Sequence, residues 1–137
     1  MTAAIYTNPA TTAMTAFTSL LNGGTLAIYT GAQPAANGAV TGTQIVTMAL
    51  SATAFGAPTT TGSGNSTIVQ AAANSITSGT AASTNTAGYF TLFASSGATI
   101  ATGLCGTSGA DLNLSSVSIS VGAAVSCSSF LVQLPLY

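Results

Sequence analysis

"NPATTAMTAFTSLLNGG" (8–24) runs directly into "TLAIYTG" (25–31), and the change of period between them decides how the rest is read. In the first stretch Asn8 is placed to cap a helix, with Pro9 at its first position. Met14, Phe17, Leu20 and Leu21 then recur at helical spacing, and Gly23 or Gly24 supplies the stop. The spacing predicts a helix over about 9–22. It is short and rich in Thr, so its apolar stripe must pack on something else. In the second stretch Leu26 and Ile28 alternate with other residues, which predicts a strand.

Downstream, period two persists. "AQPAANGAVTG" (32–42) has the Pro, Asn-Gly and Gly punctuation of a loop. "TQIVTMALSATAF" (43–55) sets Val46, Met48 and Leu50 on one face. "GAPTTTGSGNS" (56–66) reads as an exposed loop and 67–77 as a strand. Residues 87–109 read as a hairpin turning at "SSG" (95–97), with Phe90 and Leu92 sharing one face of its first strand and Ile100 and Leu104 one face of its second. In 110–122 the apolar parity changes between Leu114 and Val117, predicting a bulge near Ser115–Ser116. Residues 123–137 close the set, and "LVQLPLY" (131–137) reads equally as a last core strand or a docking arm. Short strands at this spacing, with Gly-rich turns, predict a mainly β chain: an antiparallel β-sandwich or jelly roll with one short N-terminal α-helix. One domain is expected over 1–137, with the sandwich spanning about 25–136.

The composition excludes many functions. Of 137 residues 47% are hydrophobic, and there is no Lys, Arg or His and a single acidic residue. Charged residues are 1% of the chain, against roughly 25% in an ordinary domain. Without cations there is no counterion release to drive nucleic-acid binding and no attraction to anionic membranes. No apolar run approaches membrane-spanning length. "MTAAIYTNPA" (1–10) lacks the basic and apolar regions of a signal peptide, so synthesis in a host cytoplasm is expected. A net charge of −1 removes colloidal repulsion and favours life in an assembly.

The one charged side chain, Asp111, lies in "GTSGADLNL" (106–114). Paired-carboxylate chemistry needs two such groups, and a Ser, Thr or Cys nucleophile needs a base. No enzymatic activity, cofactor or metal is therefore expected. Asp111 follows a turn and precedes an alternating run, where its carboxylate would accept N–H bonds from its own turn. By parity Cys105 opposes Ile100 and Leu104, and Cys127 opposes Phe130, Val132 and Leu134, so both point away from the apolar faces. Paired, they would close a loop of about twenty residues, worth roughly 3 kcal/mol; unpaired, they are small buried thiols.

"LLNGGTLAIYTGAQPA" (20–35), after a short helix, resembles the start of small proteins encoded in tailed-phage structural gene clusters. "GTSGADLNL" with "SISVGAAVSCSSFLVQLP" (118–135) resembles their end, and "LSATAFGAP" (50–58) and "ANSITSGTA" (73–81) are similar to their middle. The resemblance implies a phage virion protein and carries no catalytic residues. The chain departs from that family in its near-total loss of charge. A capsid decoration or cement protein is the leading expectation, binding the major capsid protein or other virion proteins and forming a homo-oligomer, with a trimer expected. A tail or fibre module binding a receptor or glycan is the alternative, and a self-assembling filament subunit the second. Aromatic anchors would come from Tyr6, Tyr29, Phe55, Tyr89 or Tyr137.

Overall fold

The structure, a computed structural model, describes residues 4–136. Helix α1 runs Thr7–Ser19, two residues earlier than the sequence suggests. Tyr6, not Asn8, takes the N-cap position, with extended backbone and no side-chain cap. Pro9 falls inside the first turn instead of opening it. Nothing opposes this shift, since first-turn N–H groups have no partner within the helix. Thr hydroxyls reinforce α1 by donating to carbonyls one turn back: Thr11 to Thr7 at 2.8 Å, Thr15 to Thr11 at 3.0 Å and Thr18 to Met14 at 3.0 Å. The buried stripe is Ala10, Met14 and Thr18, continued by Leu21, and it packs on β4 (Ile68–Ala72). Leu20, expected on that stripe, is 54% exposed. Gly23 turns the chain in the left-handed region, at φ 65°. Gly24 then passes so close to β7 (Tyr89–Phe93) that a Cβ would lie 2.1 Å from the Phe93 carbonyl oxygen.

The remaining strands are β1 (Thr25–Tyr29), β2 (Gln44–Ala49), β3 (Thr59–Thr61), β5 (Gly79–Thr80), β6 (Asn85–Thr86), β8 (Thr99–Gly106), β9 (Leu112–Asn113), β10 (Ser118–Ile119), β11 (Ala124–Val125) and β12 (Leu131–Pro135). The chain is mainly β. A five-stranded sheet has the order β2-β1-β7-β8-β9, and a three-stranded sheet the order β12-β4-β3. Two short ladders, β10-β6 and β11-β5, and the isolated bridges Ala49–Thr77 and Phe55–Ala73 are further pairings. All pairs are antiparallel except β8 with β9, so the larger sheet is mixed rather than purely antiparallel. That parallel step joins Cys105 to Leu112 and Gly106 to Asn113 across a five-residue loop, 107–111. Such a short connection supports only a two-residue pairing.

Within the stretch expected to be loop, 56–66, residues 59–66 are all exposed, yet β3 lies there and pairs with β4. The expected bulge near Ser115–Ser116 is a larger break: β9 joins the five-stranded sheet, while β10 pairs with β6 in a different ladder. Val121, beyond β10, is 63% exposed.

One buried cluster runs through Met14, Leu26, Ile28, Val46, Val69, Phe90, Leu92 and Phe130. A three-ring chain crosses it. The Phe90 and Phe130 centroids are 5.4 Å apart and edge-on, and Phe55 lies 6.2 Å from Phe130. The Phe90 ring covers Gly103, where a Cβ would meet ring carbons at 2.5 Å. A second, smaller cluster, Ala27, Tyr29 and Tyr89, occupies the opposite face of β1 and β7. There the two tyrosine rings stack at 5.4 Å. The 30–43 loop covers them: the Tyr89 hydroxyl donates to the Thr41 carbonyl and accepts the Thr41 N–H at 3.0 Å.

Candidate functional site

The candidate site is the flank between β8 and β12. A cleft of about 1130 Å³ opens there. Its floor is Met14 and Phe17 of α1 with Phe90 and Leu92 of β7. One wall is β8 and the 110–115 segment, and the other is the run from Ser126 through β12. The sequence does not point to this place, because its lining comes from five separate segments.

Asp111 stands on the β8 wall. Its Oδ2 accepts the Leu104 N–H at 2.9 Å, seven residues back, instead of bonding within its own turn. The local turn contact is made by Asn113, whose Oδ1 accepts the Ala110 N–H at 3.1 Å. Leu104 lies in β8 opposite Tyr89, and the next N–H, of Cys105, points toward β7 by donating to Gly88 at 3.1 Å. Alternation therefore turns the Leu104 N–H to the free edge, where the carboxylate satisfies it. Gln33 performs the matching task for an acceptor. Its Nε2 donates to the Thr102 carbonyl at 3.1 Å and to Thr102 Oγ1 at 2.9 Å. Together the two side chains occupy the β8 edge. Nothing in the sequence singles out Gln33, which reaches β8 from the "AQPAANGAVTG" loop 69 residues away.

Parity misplaces both cysteines. The β7–β8 register shifts between Leu92 and Phe93, which pair with Ala101 and Thr99 and leave Ile100 as the extra residue. Past this irregularity Gly103 and Cys105 face the core, and Leu104, expected inward, is 50% exposed. Cys127 also packs against the core, because residues 126–130 precede β12 and lie outside any strand, so no alternation fixes their direction. Both thiols are free. Burial, with the Asp111 charge second, pushes Cys105 up to about 12, and burial raises Cys127 despite its hydrogen bond to Ser129. At neutral pH both are protonated and poor nucleophiles. Among the described residues no group of His, Cys, Asp or Glu could hold a metal ion.

Of the expected aromatic anchors, Tyr29, Phe55 and Tyr89 are buried and Tyr6 is 83% exposed. Tyr137 lies outside the described residues. Among the described residues no helix is long and apolar enough to cross a membrane.

No protein-family model, curated protein or solved structure matches the chain.

Proposed function

We propose that this chain is a non-enzymatic structural protein of a phage virion, a capsid decoration or cement subunit that docks through neutral polar and apolar surface. The observation that carries the reading is the pairing of one charged side chain in 137 residues with large apolar groups left on the surface, namely Tyr6, Leu20, Leu104, Val121 and Leu131. Such a surface has no ionic steering and little colloidal repulsion, and it gains by being covered. Its partners are the major capsid protein or other virion proteins and further copies of itself. The five-stranded and three-stranded sheets are read as two layers of a sandwich or jelly roll, a reading supported by the Phe55–Phe130–Phe90 chain. Electron cryomicroscopy of the native particle tests the function. Density for this chain on the outer face of the capsid lattice is the expected result. Density at a tail tip, or a filament of this chain alone, overturns it.

The cleft favours a second reading, a tail or fibre module for a neutral glycan. Asp111, Asn113 and Ser115 offer hydrogen-bonding groups above an apolar floor of Phe17 and Phe90. Saturable binding of a neutral oligosaccharide by the isolated chain would distinguish it.

A further inference from the structure

The sheet edges are treated unequally. The β2 edge is covered, since Ala49 bridges Thr77 and the Ala82 N–H donates to the Ile45 carbonyl at 2.8 Å. At the other end β9 is only two residues long, and the part of β8 it leaves uncovered is occupied by Gln33 and Asp111. β3 is three residues long and ends at Gly62, which turns at φ 81°. β12 is left. It is a five-residue strand, paired among the described residues only with β4, and it borders the cleft along its length. Proteins normally blunt such edges, because a row of unpaired N–H and C=O groups recruits another strand.

Register shows which groups are free. Phe130 accepts from Ala73 and Leu136 donates to Thr67, so even-numbered residues of this run bond β4. By alternation the backbone groups of Leu131, Gln133 and Pro135 point away from it. Leu131 is 45% exposed, and Pro135 offers a carbonyl but no N–H.

We propose that the β12 edge is the interface with a second copy of this chain, paired antiparallel about a twofold axis through Gln133. In that register the Gln133 N–H and C=O meet those of Gln133 in the second copy. Each Leu131 N–H meets a Pro135 carbonyl, so the missing Pro135 donor leaves only the Leu131 carbonyl unpaired. The edge is self-complementary, as a twofold interface requires. The charge balance selects the same occupant: the chain has no cation to recognise an anionic partner, and its own strand is uncharged. The cleft runs beside β12 from Leu131 to Pro135 and leaves space for an extended segment along that wall. The interface goes beyond the virion reading and does not depend on where the chain resides. It gives a dimer, not the trimer expected from sequence.

Analytical ultracentrifugation of the whole chain tests it. The expected mass at about 100 μM is twice the 13.2 kDa of one chain. Hydrogen exchange at the Leu131 and Gln133 amides should slow at least tenfold between dilute and concentrated samples. Gln133→Pro removes the central donors, and Leu131→Lys places a charge on the edge; each should return the monomer with an unchanged far-UV spectrum. A wild-type monomer at that concentration, or a dimer that survives both substitutions, overturns the proposal. Retarded exchange at these amides on adding maltohexaose to a monomer would also overturn it, in favour of the glycan reading. A monomer still seen on the capsid by cryomicroscopy would overturn the dimer alone and leave the virion role standing.

Discussion

Asp111 Oδ2 sits 2.9 Å from the backbone nitrogen of Leu104, so the only charged side chain in the protein is spent on a single N–H at a strand edge. The contact ties the 107–111 loop to β8 and holds the parallel step between β8 and β9. It also occupies a donor that another strand could otherwise use.

Asp111→Ala removes that acceptor and leaves the N–H to water. The expected cost is about 1 kcal/mol, with a greater tendency to associate through β8. Asp111→Asn keeps an acceptor and should recover most of the loss. Urea denaturation of the three proteins checks the order. Equal loss in both variants would show that charge, not acceptance, matters.

Thr91 is fully buried in β7, and its Oγ1 has no hydrogen-bond partner among the described residues. Desolvating an unsatisfied hydroxyl costs about 1–3 kcal/mol, and Val has nearly the same shape. Thr91→Val is therefore expected to raise stability by about 1 kcal/mol, seen as a higher denaturation midpoint with an unchanged slope.

Gly103 lies beneath the Phe90 ring, and a Cβ there would also lie 3.1 Å from Asp111 Cβ. Gly103→Ala must displace Phe90 from its edge-on contact with Phe130. A loss of about 1–3 kcal/mol is expected. Thermal denaturation measures it, and a neutral result would mean that the ring moves freely.

Tyr89→Phe deletes the hydroxyl that holds Thr41. The ring stack on Tyr29 remains, so a loss of about 1 kcal/mol is expected. Faster hydrogen exchange at Thr41, with Ile28 unaffected, would localise the change to the 30–43 loop.

Stability should be nearly flat between about pH 4.5 and 8, since few groups titrate there. Above that window the sign is set by the thiols. Cys105 ionises near 9.0 in an unfolded chain and is pushed up to about 12 by burial, with the Asp111 charge second. The folded state holds this proton more tightly, so the contribution is complete below pH 9 and is lost as pH rises toward 12. Cys127 and Tyr29, also raised chiefly by burial, act in the same direction. Denaturation at stepped alkaline pH checks the direction; stability that rises above pH 9 would contradict it.

Part of the secondary structure is legible in the sequence, although β3 lies in an expected loop and the two-residue β5 and β6 were not expected. The change of period after Gly24 separates α1 from β1, and the hairpin of β7 and β8 follows from alternation around "SSG". These signals are local, because the helix repeat, the strand repeat and the left-handed Gly23 turn each depend on a few neighbouring residues. The absence of Lys, Arg and His and the presence of a single acidic residue are likewise read from the sequence alone. The tertiary structure alone decided where side chains point once alternation fails. The irregularity at Ile100 turns Cys105 inward and Leu104 outward, and the coil at 126–130 does the same for Cys127. It alone brought Gln33 to Thr102, Asp111 to Leu104 and β12 to the rim of an open cleft. Those contacts join residues far apart in the chain, and which edge is filled depends on how whole sheets are placed.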